Sequence, residues 1–390
     1  MATAYIVDAF RTAGGKRGGK LAGWHPVDMA AVTLDHLMAK TGMDPARVDD
    51  VIMGCVMQGG QQSFQVGRNA VLASKALPDS VPAVTIDRQC GSSQQAMQFA
   101  AQAVLSGTQD VVIAAGVESM TRVPMGSTGM FHMKEGLGTY KSPRLEEKYP
   151  GLMFSQFMGA EMVAKKHGFS KEDLDAFSLE SHRRAAAARD AGKFDHEIVP
   201  LEIEGENGTE LHLADEGIRA DATLEGIAGV KLLQEGGVIT AANSSQICDG
   251  ASAALIVSEA ALKDYGLTPV ARIHNVTVTG GDPVIMLEEP LFATDRALQR
   301  AGLKIGDIDA YEVNEAFAPV PLAWAKHVGA DPARMNMHGG AIALGHPLGA
   351  SGTKLMATLL NVLKANGGKY GLQTMCEGGG LANVTIVERL

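Results

Sequence analysis

The sequence predicts an α/β protein built from two similar halves separated by an insertion. Helix-like segments with a period of about 3.6 residues alternate with short apolar runs typical of buried strands, both early and late in the chain. Residues 119–247 break this pattern, because they hold many Met, Gly and charged residues. We therefore expect a first half at residues 1–118 plus 248–268, a loop domain at 119–247 and a second half at 269–390.

The elements follow in order. A strand is predicted at 4–7, and in the first half helices and strands then alternate. The predicted helices are 26–41, 68–76 and 92–106, and the predicted strands are 51–56, 83–86 and 111–115. The insertion holds two amphipathic helices, at 159–167 and 171–191. Apolar strands resume at 253–257, 310–313 and 370–375.

The two halves share a layout. A Gly-Ser-Ser step at residues 91–93 opens an Ala-rich helix that leads to a strand and a glycine. The glycine-rich run 345–352 opens a similar helix, which leads to the strand at 370–375. An internal duplication would bring both helix starts to a shared centre, although the repeat is too degenerate to prove by identity.

Composition excludes several classes of protein. With 390 residues, 46 % apolar and 20 % charged, the chain is typical of a globular protein with a large core. The net charge of −10 and the absence of a dense basic run argue against nucleic acid as a partner. No stretch of eighteen apolar residues predicts a membrane span, and the N-terminus lacks signal-peptide features, so we expect a cytoplasmic protein.

The four cysteines show neither CxxC spacing nor the density of a disulfide framework, so reduced thiols are expected and zinc is not supported. Cys55 and Cys248 are interpreted as buried structural residues. Cys90 differs, because it stands where an extended run turns into a helix. The open N-terminus of a helix stabilises a thiolate and can hold an oxyanion. A nucleophile is therefore predicted, with a small apolar filler as the alternative.

Three further residues are candidates for the site. His346 stands between a glycine and a proline, beside a predicted helix start, where an imidazole can take a proton from a thiol; a turn histidine is the alternative. Asn314 follows a strand and can hold a water or orient the histidine, or simply cap a helix. Cys376 is a second thiol at a strand end, next to glycine amides. His338 is a weaker candidate than His346.

Four motifs together resemble the thiolases, also called acetyl-CoA acyltransferases. They occur in the family's order and the similarity extends across essentially the whole chain. The resemblance implies two βα halves packed as a five-layered αβαβα core, with a loop domain inserted in the first half. The motifs are Cys-Gly-Ser-Ser at 90–93, Asn-Glu-Ala-Phe-Ala at 314–318, the glycine-rich run at 340–352 and Cys-Glu-Gly-Gly-Gly at 376–380.

The resemblance also implies a task for each site residue. Cys90 would attack a 3-keto carbonyl and carry the acyl group as a thioester. His346 would activate Cys90 and, with a water held by Asn314, stabilise an enolate oxygen. Cys376 would act as acid and base, and the N–H groups of Cys90 and Gly378 would form an oxyanion hole. No metal or organic cofactor is implied, since CoA is a substrate.

Binding residues follow from the same resemblance. Arg219 would lie near the CoA nucleotide and Ser245 near its pantetheine, although a surface role for Arg219 remains open. Phe157, Met158 and Met286 are expected in an adaptable acyl pocket, with core or tetramer contacts as the alternative for the Met-rich stretches. A homodimer or a homotetramer is expected.

Several positions depart from the family pattern. Phe157 stands where short-chain biosynthetic members typically carry His, and three further departures are Glu377, Leu381 and His338. These differences favour degradative cleavage of a medium or bulky 3-ketoacyl-CoA to acetyl-CoA and a shortened acyl-CoA. Synthesis of acetoacetyl-CoA is the alternative. A decarboxylating condensing enzyme would not need Cys376, and a non-catalytic lipid-binding relative would be expected to lose a catalytic group.

Overall fold

The structure, a computed structural model, describes residues 2–205 and 208–390. Its strands are β1 Ala4–Thr12, β2 Gly15–Lys16, β3 Asp50–Gly54, β4 Ala83–Ile86, β5 Val111–Ser119, β6 Ile198–Val199, β7 Leu201–Gly205, β8 Gly208–His212, β9 Cys248–Ser258, β10 Ala271–Gly280, β11 Ala310–Val313, β12 Tyr370–Glu377 and β13 Leu381–Arg389. Its α-helices are α1 Pro26–Thr41, α2 Val66–Ala73, α3 Ser92–Ser106, α4 Ser127–Lys134, α5 Pro143–Lys148, α6 Gln156–His167, α7 Lys171–Asp190, α8 Leu224–Ala228, α9 Glu259–Tyr265, α10 Glu289–Ala301, α11 Pro319–Val328, α12 Ala341–Leu344 and α13 Ser351–Asn366.

The strand pairing repeats between the halves. In the first half β3 pairs parallel with β5, which continues antiparallel through β9 to β1. In the second half β11, β12, β13 and β10 pair in the same order and with the same directions. A register shift interrupts β1 between Ile6 and Asp8, and another interrupts β10 between Ile273 and Asn275. The prediction of two similar βα halves is confirmed.

Five layers result from this pairing. β1 and β10 join the halves through two antiparallel pairs, Tyr5 with Arg272 and Ile6 with Ala271. Buried side chains of α1 and α2 pack on one face of the first half, and those of α10 and α11 pack on the second half. Between the two halves, α3 and α13 share a third apolar cluster with strands of both. The order of layers is therefore αβαβα.

The central helices start at the same place in the molecule. The Thr353 backbone N–H donates to Ser93 Oγ at 3.1 Å. A Cβ added at Gly352 would overlap the backbone nitrogen of Gln94, so only glycine allows this approach. The predicted meeting of the two helix starts is confirmed, and it places the residues before α3 and α13 beside each other.

The segment between β5 and β9 holds α4 to α8 and β6 to β8. β7 and β8 form a separate two-stranded sheet, while β6 pairs with β1. The capping box of Ser170 and Asp173 fixes the start of α7, the longest of these helices. Across the described ranges, none of the helices has the length and apolarity that a membrane crossing requires.

Candidate active site

Cys90 lies in a tight loop directly before α3. Gln89 has a φ of 49°, a left-handed conformation that is uncommon for a residue with a side chain. Two polar side chains hold this loop: the backbone N–H of Gln89 donates to Asp87 Oδ1 at 2.6 Å, and Ser92 Oγ donates to Gln89 O at 2.6 Å. Backbone strain of this kind persists only where the surroundings fix it, and it is concentrated at functional sites. The loop thus presents Cys90 in one position.

Burial dominates the chemistry of the Cys90 thiol. Cys90 is buried, and burial raises its pKa well above the usual range, with Cys376 and Glu377 adding to the effect. At rest, burial therefore outweighs the stabilisation that the nearby helix start offers to a thiolate. The reason is that Cys90 precedes the cap residue Gly91 and is removed from water. A base is needed to form the nucleophile.

Cys376 lies at the end of β12, beside the Cys90 loop. It is fully buried, and burial together with Glu377 raises its pKa to about 12. The turn after β12 packs directly on the loop, since a Cβ added at Gly378 would lie 2.8 Å from Gln89 Oε1. The structure thus brings both thiols and Gly378 together, and both thiols are protonated at rest.

Glu377 is a buried carboxyl group behind Cys90. It is fully buried, and neither side-chain oxygen makes a hydrogen bond to another described residue. Burial raises its pKa well above the usual range, because the carboxylate form is removed from water, and the charge of Arg88 offsets part of this effect. A Cβ added at Gly91 would overlap Glu377 Oε1, which means that the carboxyl group fills the space a side chain at 91 would need.

His346 lies in a loop just before the helix whose start is predicted beside it. Helix α12 ends at Leu344, Gly345 has a φ of 77°, and α13 begins only at Ser351. The proline after His346 leads into a short 3₁₀ turn rather than into the first turn of the α-helix. The histidine therefore reaches the site from a loop between two helices.

Hydrogen bonds define the tautomer of His346. Ser351 Oγ donates to Pro347 O at 2.9 Å, so it accepts the hydrogen bond from His346 Nδ1 at 2.5 Å. Nε2 is left with its lone pair, and it accepts from Asn314 Nδ2 at 3.3 Å. Burial first and the charge of Lys354 second lower the pKa of His346 to about 3. This imidazole is a neutral base at physiological pH.

Glu118 joins the two halves of the site and was not singled out from the sequence. Its buried carboxyl group accepts hydrogen bonds from the backbone N–H groups of Val56, Met57 and Gly349 at 2.9 to 3.0 Å. It therefore ties the loop after His346 to the first half. A Glu at a strand end carries no distinctive signal, because only the folded chain reveals these partners.

A cavity of about 850 Å³ opens at Cys90, and we call it the Cys90 cavity. Its walls are largely apolar, and four methionines of the segment after β5 contribute to them. It is lined by Met57, Asp87, Arg88, Gln89, Cys90, Met125, Gly126, Gly129, Met130, Met133, Tyr140, Met153, Phe154, Gln156, Pro283, Met286, Leu348, Gly378, Gly379 and Leu381.

A second cavity, of about 440 Å³, reaches His346, and we call it the His346 cavity. Leu348, Met125 and Gln156 line both cavities, so the two meet between Cys90 and His346. Ser245 lines the His346 cavity, and Arg219 lines both it and a further cavity of about 280 Å³.

The other predicted residues are distributed as follows. Met286 lines the Cys90 cavity. Phe157 lines the His346 cavity instead, with its ring 5.6 Å from that of Phe317, edge to face. Met158 is half exposed and lines neither cavity. His338 packs against Phe194 with ring centroids 5.8 Å apart, away from both cavities.

The buried histidine makes stability depend on pH. His346 has a pKa of about 3 in the folded chain and about 6.5 when unfolded, so the unfolded chain binds more protons between these values. The free energy of unfolding should therefore fall as the pH drops below about 6.5, by at most about 1.4 kcal/mol per pH unit from this group.

Urea unfolding of the wild type and of His346→Gln at pH 7, 6 and 5 measures this slope. Burial also lowers the pKa of His182, to about 4, so both proteins lose stability in acid. Between pH 7 and pH 5, the free energy of unfolding of His346→Gln should fall less than that of the wild type. Equal slopes would contradict the assignment of a buried neutral His346.

Comparisons with known proteins agree with this geometry. The thiolase N-terminal domain matches residues 4–260 and the thiolase C-terminal domain matches residues 267–389. A steroid 3-ketoacyl-CoA thiolase of Mycobacterium tuberculosis, FadA6, is 52 % identical over 392 residues, covering 100 % of this chain and 95 % of its own. A 3-ketoacyl-CoA thiolase of Vibrio cholerae is 41 % identical over 397 residues, covering 100 % of both.

Solved structures give the same result. Human mitochondrial 3-ketoacyl-CoA thiolase superposes with a TM-score of 0.89 at 35 % identity, and the Bacillus anthracis acetyl-CoA acetyltransferase with 0.91 at 33 %. Each comparison covers 100 % of this chain and 99 % of the other. The paired thiols, the neutral histidine and these matches lead to one conclusion: the chain belongs to the thiolase family of acyltransferases.

Proposed function

We propose that the protein cleaves a bulky 3-ketoacyl-CoA with CoA, giving acetyl-CoA and an acyl-CoA shortened by two carbons. The observation that carries this proposal is the meeting of two cavities between Cys90 and His346. One cavity can hold the acyl group while the other holds CoA. The relatives named 3-ketoacyl-CoA thiolase support the degradative direction.

The first step forms the nucleophile and an acyl-enzyme. His346 Nε2 takes the proton of the Cys90 thiol, and the thiolate attacks the 3-keto carbon. The N–H groups of Cys90 and Gly378 stabilise the oxyanion of the tetrahedral adduct. The adduct collapses with cleavage of the bond between C2 and C3, so Cys90 keeps the acyl group as a thioester and the bond electrons pass to the acetyl-CoA enolate.

The enolate is then quenched. Its oxygen accepts a hydrogen bond from the protonated His346 and another from a water held by Asn314. Its carbon takes the proton of the Cys376 thiol, which releases acetyl-CoA. The Cys376 thiol, with a pKa of about 12, is a far stronger acid than the C–H group that forms on acetyl-CoA. The proton transfer is therefore energetically favourable.

The second half of the reaction restores both thiols. The Cys376 thiolate takes the proton of an incoming CoA thiol, and the CoA thiolate attacks the thioester on Cys90. Cys90 leaves as a thiolate and recovers its proton from His346. Cys90 regains the proton that it gave to His346, whereas Cys376 gives its proton to acetyl-CoA and receives the proton of the CoA thiol, so both thiols end protonated and no electron acceptor is needed.

The His346 cavity is assigned to CoA. Ser245 lines its wall near His346, in reach of the pantetheine arm, and Arg219 lies where this cavity adjoins a further one of about 280 Å³. Arg219 makes no side-chain hydrogen bond to another described residue, so its planar charge is available for the nucleotide phosphates or adenine.

The Cys90 cavity is assigned to the acyl group. Its volume of about 850 Å³ far exceeds what an acetyl group needs, and its methionines adapt to irregular shapes. We infer a ring-bearing acyl group, since the relative with 52 % identity is named a steroid 3-ketoacyl-CoA thiolase. Acetoacetyl-CoA would leave most of this cavity unfilled.

A series of substrates tests the proposal. Purified protein should consume a ring-bearing 3-ketoacyl-CoA in the presence of CoA with a kcat/KM about 100-fold higher than that for acetoacetyl-CoA. The loss of 3-ketoacyl-CoA absorbance measures the rate with each of the two substrates. A preference for acetoacetyl-CoA would contradict the assignment of the Cys90 cavity.

Filling the Cys90 cavity gives a matched comparison. Gly129 lines this cavity, and a Cβ added there meets no atom within 4 Å. Gly129→Trp should therefore reduce kcat/KM for the ring-bearing substrate by about tenfold or more while sparing acetoacetyl-CoA. Gly129→Ala, which adds one methyl group at the same place, should behave as the wild type with both.

A further inference from the structure

Lys354 is a buried ammonium group beside the loop that carries His346. It lies in the first turns of α13 and is 5 % exposed. Its Nζ donates hydrogen bonds to Leu344 O at 2.6 Å and to Gly345 O at 3.2 Å. These are the last two carbonyl groups before His346. The ammonium group therefore fixes the backbone from which the imidazole projects.

The charge of Lys354 is only partly balanced. The nearest carboxylate is Asp215, with Oδ1 3.8 Å from Nζ. That oxygen is already bound by Arg11 Nη1 at 2.8 Å and by the Gly14 backbone N–H at 2.7 Å. The charged and titratable side chains around Lys354 are Asp215, Arg11, Glu197, Cys248 and Glu312.

Lys354 also adjoins both hydrogen-bond partners of His346. A cavity of about 10 Å³ beside Gly345 is lined by Lys354, Asn314 and Ser351 among others. Lys354 therefore touches the same small space as the residue that binds His346 Nε2 and the residue that binds Nδ1. Lys354 can therefore influence the imidazole through these two partners and through its charge.

The electrostatic consequence follows from this position. The pKa of His346 is lowered by burial and then by the Lys354 charge. An imidazolium formed when Cys90 gives up its proton is repelled by Lys354, so it is a strong acid. Such a group readily donates to an oxygen that gains negative charge, and it returns the proton to Cys90 when the thioester is released.

We propose that Lys354 is a positioning residue for His346, which holds the His346 loop through two carbonyl groups and keeps the imidazole uncharged at rest. The inference rests on the proposed thiolase reaction for its effect on turnover. Its effect on the resting Cys90–His346 pair does not depend on any substrate.

Alkylation of Cys90 by iodoacetamide, followed by mass spectrometry without substrate, tests this effect. In Lys354→Met the imidazole becomes a stronger base, so more of the pair exists as thiolate and imidazolium. Alkylation at pH 6.5 should be about tenfold faster than in the wild type for each unit by which the pKa of His346 rises. Turnover should change in the opposite direction: kcat should fall about tenfold or more, with KM for CoA unchanged within about threefold.

Two variants serve as controls. Lys354→Arg keeps the charge and should retain the wild-type alkylation rate. Lys364→Met removes an exposed lysine from the same helix and should leave both alkylation and turnover unchanged. General loss of structure would also expose the buried Cys90 and speed its alkylation while lowering turnover. Urea unfolding of Lys354→Met must therefore show a folded protein at the assay conditions, and Lys354→Arg must restore both rates.

Two outcomes would overturn the inference. Alkylation of Lys354→Met at the wild-type rate would show that Lys354 does not act on His346. Altered alkylation in Lys354→Met that Lys354→Arg fails to reverse would show that the charge is not the cause. If the wild type cleaves none of the 3-ketoacyl-CoA substrates, the proposed function fails, but the alkylation comparison still decides the role of Lys354.

Discussion

The Cys90→Ala variant is expected to lose thiolysis by a factor on the order of 10⁵ or more, because no other group can carry the acyl chain. Cys376 is not expected to replace it, because the proposed mechanism uses its buried thiol for proton transfer and not for attack on the 3-keto carbon. The assay is CoA-dependent loss of 3-ketoacyl-CoA absorbance. Mass spectrometry of the wild type, mixed with substrate and quenched, should find the acyl group on the peptide that contains Cys90.

The matched control is Cys55→Ala, which removes another buried thiol of the first half. Cys55 lines neither cavity, so activity should stay within about threefold of the wild type. An active Cys90→Ala protein, or an acyl group found on another residue, would show that the nucleophile has been misassigned.

The Cys376→Ala variant should distinguish the role of Cys376 in proton transfer from the role of Cys90 as the nucleophile. Without a proton donor for the enolate carbon and a base for the CoA thiol, cleavage should fall by roughly 10²- to 10⁴-fold. Cys90 should remain reactive, because His346 and the loop around Gln89 are untouched. Iodoacetamide should still label Cys90 in this variant, which separates loss of proton transfer from loss of the nucleophile.

Cleavage by Cys376→Ala at the wild-type rate would show that another residue acts as the acid and base. Loss of both cleavage and labelling would instead indicate that the variant disturbs the Cys90 loop, which packs against the turn at Gly378. The two measurements together therefore assign Cys376 either to chemistry or to packing.

Local signals predicted much of the fold. α1 has the predicted bounds because Pro26 occupies its first turn and Gly42 ends it with a φ of 68°. α3 ends in the same way at Gly107. β9 is longer than predicted, because it begins at Cys248 and its first residues pair with β2 and β5, which the sequence does not reveal.

The site was predicted less completely, because its chemistry depends on burial. The motifs identified Cys90, His346, Asn314 and Cys376, and the structure places them around one centre. The sequence indicates a helix start beside Cys90, but it does not reveal the removal of the thiol from water, which raises its pKa. Ser351 was recognisable only as part of a glycine-rich run, and its bond to His346 requires the 3₁₀ turn between them.

The packing of Glu377 against Gly91 has an evolutionary consequence. The two residues are distant in sequence but share one volume beside the nucleophile, so their substitutions are epistatic. A side chain at 91 would displace the carboxyl group of Glu377, so it is accommodated more easily in a chain that carries a shorter residue at 377. Replacement of Glu377 before Gly91 is therefore the less destabilising order of mutations.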